Sequence, residues 1–212
     1  MPKLPDVSAL DLAALLCSKV CHDLISPAGA IANGLELLDE DPDEETAKVA
    51  MDLIRASSGN ATGKLQFARI AFGAAGSAAA EIDTGDAEAV ARGYFANEKK
   101  AKLEWQGERM LLPKNQVKLL LNLLLVAHAA IPRGGAIRAE IGKSGNSLAA
   151  TVTASGNAAR VPPTFLDFLS GTFKGMVDAH VVQLLYTLKL AEAAGIKISA
   201  TAQGDSVIFK AG

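Results

Sequence analysis

The sequence predicts an α+β protein in two parts: an antiparallel helical hairpin over residues 1–75, then helices layered on one mostly antiparallel sheet over residues 76–212. Three observations carry this. Apolar residues recur at alternating spacings of four and three from residue 10 to residue 38, and again from residue 47 to residue 72. A composition break, GAAGSAAAEIDTGD from Gly73 to Asp86, reads as a linker. Beyond it, strand-patterned and helix-patterned runs are mixed.

On the first arm, Leu10, Ala14, Cys17, Cys21, Leu24, Ala28, Ile31, Leu35 and Leu38 form one stripe, the four heptads of a bundle seam. DEDPDEET then puts Pro42 in an acidic turn and sets Asp43 to Glu45 at the positive end of a new helix. The second arm repeats the stripe through Ala47, Met51, Ile54, Ser58, Ala61, Leu65, Ala68 and Phe72. At about 1.5 Å per residue each arm is roughly 45 Å long. Two helices enclose no core, so the seam needs a cover. The economical solution is a homodimer with a four-helix bundle at its centre; the alternative is cover by the second half of the chain.

That second half reads in order as a short strand, a helix with Ala87, Val90, Ala91, Tyr94 and Phe95 on one face, and a strand at KLEWQ. A helix at KNQVKLLLNLLLVAHAAI follows, then strands near GAIRAEIG and SLAATVTA, two helices, and closing strands IKISAT and SVIFKA.

Composition narrows the function. Half of the 212 residues are hydrophobic, enough for a sizeable core. A formal net charge of -2 argues against a nucleic-acid partner, and one Trp with two Tyr argues against a base-stacking surface. Cys17 and Cys21, one helical turn apart, read as small buried hydrophobes in a reducing cytoplasm. Asp6 and Asp11 interrupt any apolar leader, and LLLNLLLVAHAAI is too short and polar for a bilayer, so neither a signal peptide nor a membrane partner is expected.

The candidate site lies at HDLISP, residues 22–27. Proline within a helix removes a hydrogen bond and clashes with the carbonyl four residues earlier, at about 3 kcal/mol, so something besides stability keeps it there. The heptad places His22 outside the seam, with Ser18, Lys19, Ile25, Ser26 and Gly29 as neighbours three, four or seven residues away. Being mostly small or polar, they leave the imidazole accessible and offer Ser18, Ile25, Ser26 and Gly29 as a partner-binding surface. The opposite stretch, SSGNATG from Ser57 to Gly63, is equally consistent with a shallow bay for another protein's loops and with a close helix crossing. Asp23 can accept the Nδ1 proton and leave Nε2 as a nucleophile, while Lys19 can offset the charge of a bound phosphoryl group. No second His or Cys stands at ligand spacing on this face, which argues against a metal. The chemistry left for such an imidazole is covalent phosphoryl transfer, with His22, Asp23 and Lys19 as catalytic residues. His128 and His180 read as packed or surface residues and Trp105 as core.

HDLISP resembles the H-box of histidine kinases, a His followed by an acid, Leu, two variable residues and Pro on the first helix of a dimerising hairpin. The later element order resembles the kinases' ATP-binding domain, a helix-and-sheet sandwich. Asn122, Pro132, Gly134 and Gly135 match its N-box, but the magnesium-holding Asn is Val126. In VTASGNA the adenine-binding Asp is Ala154, and only Gly156 of a glycine pair remains. GMVDAHVVQLL keeps Gly175 of the phosphate loop but has Asp178 and His180 for glycines. Valine and alanine hold neither a cation nor an adenine amino group, and a carboxylate repels phosphates.

A kinase-shaped chain with its phospho-accepting helix kept and its nucleotide site removed resembles the histidine phosphotransferases of bacterial phosphorelays, in particular the ChpT family. The resemblance implies a homodimer that shuttles phosphate between receiver aspartates in a cell-cycle relay. It implies as donor the receiver domain of a hybrid histidine kinase (CckA-like), and as acceptors CtrA-like and CpdR-like response regulators. It implies no cofactor of its own, with magnesium supplied by the receiver. A divergent ATP-dependent kinase and a non-catalytic dimeric adaptor are the rival readings.

Overall fold

The computed structural model describes residues 3–73, 81–98 and 100–212. Helix α1 (Ala9–Asp39) starts where the Ser8 hydroxyl accepts from the Asp11 amide at 3.0 Å, and it runs on through Pro27. The reversal passes through Asp41 at φ 54°, and helix α2 (Glu44–Ala71) starts where the Asp43 carboxylate accepts from the Thr46 amide at 2.7 Å. That bond holds the Asp43 carboxyl below its ordinary range. Both arms and the turn between them therefore match the pattern of the sequence.

The rest of the chain is strand β1 (Glu81–Asp83), helix α3 (Thr84–Ala96), strands β2 (Ala101–Gln106) and β3 (Leu111–Pro113), and helix α4 (Lys114–Ala130). The hairpin of β4 (Gly135–Ser144) and β5 (Ser147–Ser155) follows, then α5 (Pro163–Ser170), α6 (Val182–Ala194), β6 (Ile198–Gln203) and β7 (Ser206–Ala211). Five strands form one sheet in the order β2-β4-β5-β7-β6, antiparallel except where β2 runs parallel to β4. The two short strands β1 and β3 pair by themselves. The expected linker is thus shorter than its composition suggests. Glu81 to Asp83 form a strand, and Asp83 both caps α3 through the Gly85 amide at 2.7 Å and pairs with Arg109 at 2.8 Å. Residues 74–80 of that stretch lie outside the described residues.

Strand residues alternate as a one-sided sheet requires. Ile137, Ala139, Leu148, Val152, Val207 and Phe209 point into the core, while Arg138, Glu140 and Lys210 point out. Helix α4 is buried almost all round, with Leu119 to Leu124 at 0% exposure, because the sheet, α3, α6 and the end of α2 enclose it. Asn122, the N-box asparagine of the resemblance, is among these residues. Its amide nitrogen donates to the carbonyls of Ala71 (3.1 Å) and Lys118 (2.9 Å), and the Gln183 side chain donates to the Asn122 carbonyl at 2.9 Å. This fully satisfied buried amide pins the end of α2 to α4 and α6.

Of the two expected covers of the hairpin, the second half of the chain supplies part. Toward its C-terminal end α2 packs on α3 of the same chain: Phe67 is buried against Tyr94 with ring centroids 4.7 Å apart. A Cβ on Gly63 would lie 2.5 Å from the Gly93 carbonyl oxygen, so SSGNATG serves a close helix crossing at that point rather than an open bay. Gly34 plays the same part between the arms, where a Cβ would meet Ile54 at 2.6 Å. The other side of the hairpin stays bare, with Leu10, Leu35, Met51 and Leu65 exposed. Cys17 and Cys21 are exposed as well, not buried as their apolar character suggests. They lie on this bare side, along a groove with Leu16, Val20, Leu65 and Phe72.

Candidate functional site

His22 sits in the middle of α1 with 70% of its side chain exposed. The Asp23 carboxylate approaches its Nδ1 at 3.7 Å, an ion-pair separation rather than a hydrogen bond. Asp23 instead accepts directly from the Lys19 ammonium one turn back. The three predicted catalytic side chains therefore stand together, but the closest contact is between the acid and the lysine. Ser18, Ile25, Ser26 and Gly29 are all exposed around them, and a Cβ added at Gly29 would meet nothing within 4 Å.

Pro27 is buried beneath this cluster. Having no N–H, it cannot bond to the carbonyl four residues earlier, which belongs to Asp23. The Lys64 ammonium on α2 reaches that carbonyl at 3.5 Å, replacing the missing donor from across the hairpin. Lys64 also lies 3.9 Å from Glu98, which in turn lies 4.0 Å from Nε2 of His128. Tyr94 packs beside His128, and its hydroxyl is held well above the ordinary phenol value, first by burial and then by the carboxylates of Glu98 and Asp23. A half-buried polar network thus runs from the backbone of the H-box to α3 and α4. Sequence reasoning missed it, because Lys64, Glu98 and His128 are dispersed over α2, the loop after α3, and α4.

His128 in this network is pushed below its ordinary value, mainly by burial; Glu98 opposes the shift and Lys64 adds to it. The fold thus favours the neutral ring, and on acidification the unfolded chain takes up the proton first. The stability this provides is complete above the unfolded value of about 6.5 and is lost as pH falls below it toward the folded value, with a slope of at most about 1.4 kcal/mol per pH unit. Melting temperatures measured from about pH 7.5 to about pH 5.5 should therefore fall less steeply for His128→Gln than for the unaltered chain. Parallel curves would contradict this account.

One neighbour of His22 comes from the far end of the sequence. The ring of His180, just before α6, lies edge-on to the His22 ring, with centroids 5.8 Å apart and planes at 78°. Reading each histidine by its own surroundings gives no sign of this contact. The available signal is a histidine and an aspartate where the resembling loop has glycines.

The residues matching nucleotide-binding boxes have other tasks. Val126 and Ala154 are fully buried among apolar residues. A Cβ on Gly135 would lie 2.0 Å from the Ser155 carbonyl oxygen, and one on Gly156 2.2 Å from that of Gly134, so these glycines let two backbone segments touch. At the start of α6 the Asp178 carboxylate accepts from the amides of His180 (2.9 Å) and Val181 (3.1 Å), taking donors that a phosphate would need. Among the described residues no three His, Cys, Asp or Glu side chains converge as a metal site, and no helix is long and apolar enough to cross a membrane.

Comparison with known proteins gives the family. Residues 84–206 match the family model described as the histidine phosphotransferase C-terminal domain. The chain is 55% identical over 206 residues, 97% of either chain, to the protein phosphotransferase ChpT of Brucella abortus (strain 2308). Among solved structures, a bacterial phosphotransferase superposes with a TM-score of 0.91 at 52% identity, covering 99% of this chain and 100% of the other. The histidine kinase domain of the Erythrobacter litoralis EL346 blue-light activated kinase superposes with a TM-score of 0.50 at 16% identity, over 87% of this chain and 94% of that one, and so shares the fold.

Proposed function

We propose, from the premise that this chain belongs to the histidine phosphotransferase family, that the phosphoryl group rides on Nε2 of His22. The observation that carries this is an imidazole 70% exposed in mid-helix with the linked pair Asp23 and Lys19 at its base. The Nε2 lone pair attacks the acyl phosphate of a receiver in line; the P–O bond to the aspartate breaks, and the carboxylate leaves with its electron pair. Asp23 stabilises the positive charge that the phosphorylated ring acquires while Nδ1 keeps its proton. Transfer onward is the reverse, with a second aspartate as nucleophile. Lys19 holds Asp23 in place and adds positive charge near the phosphoryl oxygens.

Exposed Ser18, Ile25, Ser26 and Gly29 are the surface against which a receiver docks. The partners are the receiver domain of a CckA-like hybrid kinase as donor and CtrA-like and CpdR-like regulators as acceptors, in cell-cycle control within the cytoplasm. The receiver contributes magnesium. The working form is a homodimer closed over the bare side of the hairpin, because exposed Leu10, Leu35, Met51 and Leu65 are too many for a face left in water. Buried Val126 and Ala154 and the Asp178 cap support transfer without ATP.

Mixing the protein with a receiver domain carrying labelled aspartyl phosphate tests this. The label should move to the protein within the first minutes, in an acid-labile and base-stable form characteristic of phosphohistidine. Binding without transfer of label would favour the adaptor reading instead.

A further inference from the structure

His180 is not one of the residues assigned above, yet it lies against the side chain that carries the chemistry. We infer that His180 is a second catalytic side chain of the phosphotransfer site, donating a ring N–H to a non-bridging oxygen of the phosphoryl group on His22. The inference rests on the reading of His22 as the carrier.

The placement is built rather than incidental. Residues 171–181 form an irregular segment between α5 and α6, and its end is fixed by Asp178. The Asp178 carboxylate accepts from the backbone amides of His180 and Val181, and its carbonyl accepts from the Val182 amide at 2.9 Å. His180 is thereby held at the entrance of α6, the helix that packs on the buried core through Leu185 and Leu188. Its own side chain is exposed, and its ring nitrogens have no hydrogen-bond partner among the described residues.

The ring separation is 5.8 Å and the contact is edge-on, not stacked. A phosphoryl group bonded to Nε2 carries its oxygens past the rim of the His22 ring, and a ring this near is within hydrogen-bond reach of them. In-line transfer moves through a state whose negative charge is spread over the three equatorial oxygens, so a donor aimed at one of them lowers the barrier in both directions. The step needs no further reactant: the P–O bond to the receiver aspartate breaks, the P–N bond to His22 forms, and the His180 proton is shared but not transferred. The arrangement also gives the second domain a direct part in the chemistry, since His180 reaches the hairpin from the loop where a nucleotide-binding relative would close over phosphates.

The test uses the full chain, a receiver domain loaded with acetyl phosphate and magnesium as donor, and phosphoramidate as a direct chemical donor that needs no docking. His180→Ala should slow transfer from the receiver about tenfold or more, as expected for a hydrogen bond to a charged group. It should also shorten the lifetime of phospho-His22 and shift its phosphorus resonance, whichever donor loaded it. His180→Gln, which keeps an N–H at similar reach, should restore the rate to within about threefold. The proposal is overturned if His180→Ala transfers at the unaltered rate with an unmoved resonance. It is equally overturned if His180→Gln is as slow as alanine, since only side-chain packing would then be at issue. If the unaltered chain takes phosphate from neither donor at His22, it is the carrier assignment that fails.

Discussion

A purified His22→Ala variant is expected to fold, assemble and bind receivers as the unaltered chain does, and to take no phosphate at all. The side chain is 70% exposed and makes no hydrogen bond, so its removal leaves neither a cavity nor an unsatisfied buried group. The loss falls on the ring nitrogen proposed to form the P–N bond. Label from a phosphorylated receiver, followed after gel separation, should drop to background. A chain still labelled after the substitution would place the carrier elsewhere, with His180 the next residue to change.

The second large effect is expected on assembly. Leu35 and Leu65 are 50% and 52% exposed in the single chain and belong to the stripe that a second hairpin would cover. Glu at either position is soluble in the monomer but buried twice, once per protomer, in the dimer. An unpaired carboxylate in an apolar interface costs several kcal/mol, and each 1.4 kcal/mol is about tenfold in affinity, so Leu65→Glu should weaken association by well over a hundredfold. Because the position faces away from the chain's own core, the melting of the resulting monomer should retain the transition of the sheet domain. Charge at Leu24 or Ile31, which are half buried, should harm both the hairpin and its assembly. Light scattering is the measurement: an unaltered chain that weighs 21.9 kDa at micromolar concentration would refute the dimer.

Local and periodic features were legible in the sequence; contacts between distant segments were not. The heptads set the two arms, and the exposure of His22 followed from its place outside the stripe. Strand alternation marked the five strands of the main sheet, while SSGNATG left a bay and a close crossing equally open, and only the approach of Gly63 to the Gly93 carbonyl decided for the crossing. Strand β3 escaped notice because three residues show no period. The burial of Cys17 and Cys21 was misread because apolar character identifies the stripe but not what covers it. Proximity of His180 to His22 depends on how two domains dock, and no spacing along the chain encodes that. The lysine beside Asp23 was read correctly as a neighbour, while the one that answers the proline, Lys64, came from the other arm.

That last contact bears on a weakness of every regular seam. A stripe repeating every seven residues matches itself again after a slide of one repeat, so apolar packing alone permits several alignments of α1 against α2 at similar energy. The carbonyl exposed by Pro27 occurs once in α1, and the ammonium that meets it occurs once at the matching height of α2. A slide by one repeat would carry them about 10 Å apart and strand the acceptor without a donor. The proline that looked like a defect beside the histidine therefore acts as an index mark, giving two otherwise periodic helices a single alignment at the level of His22.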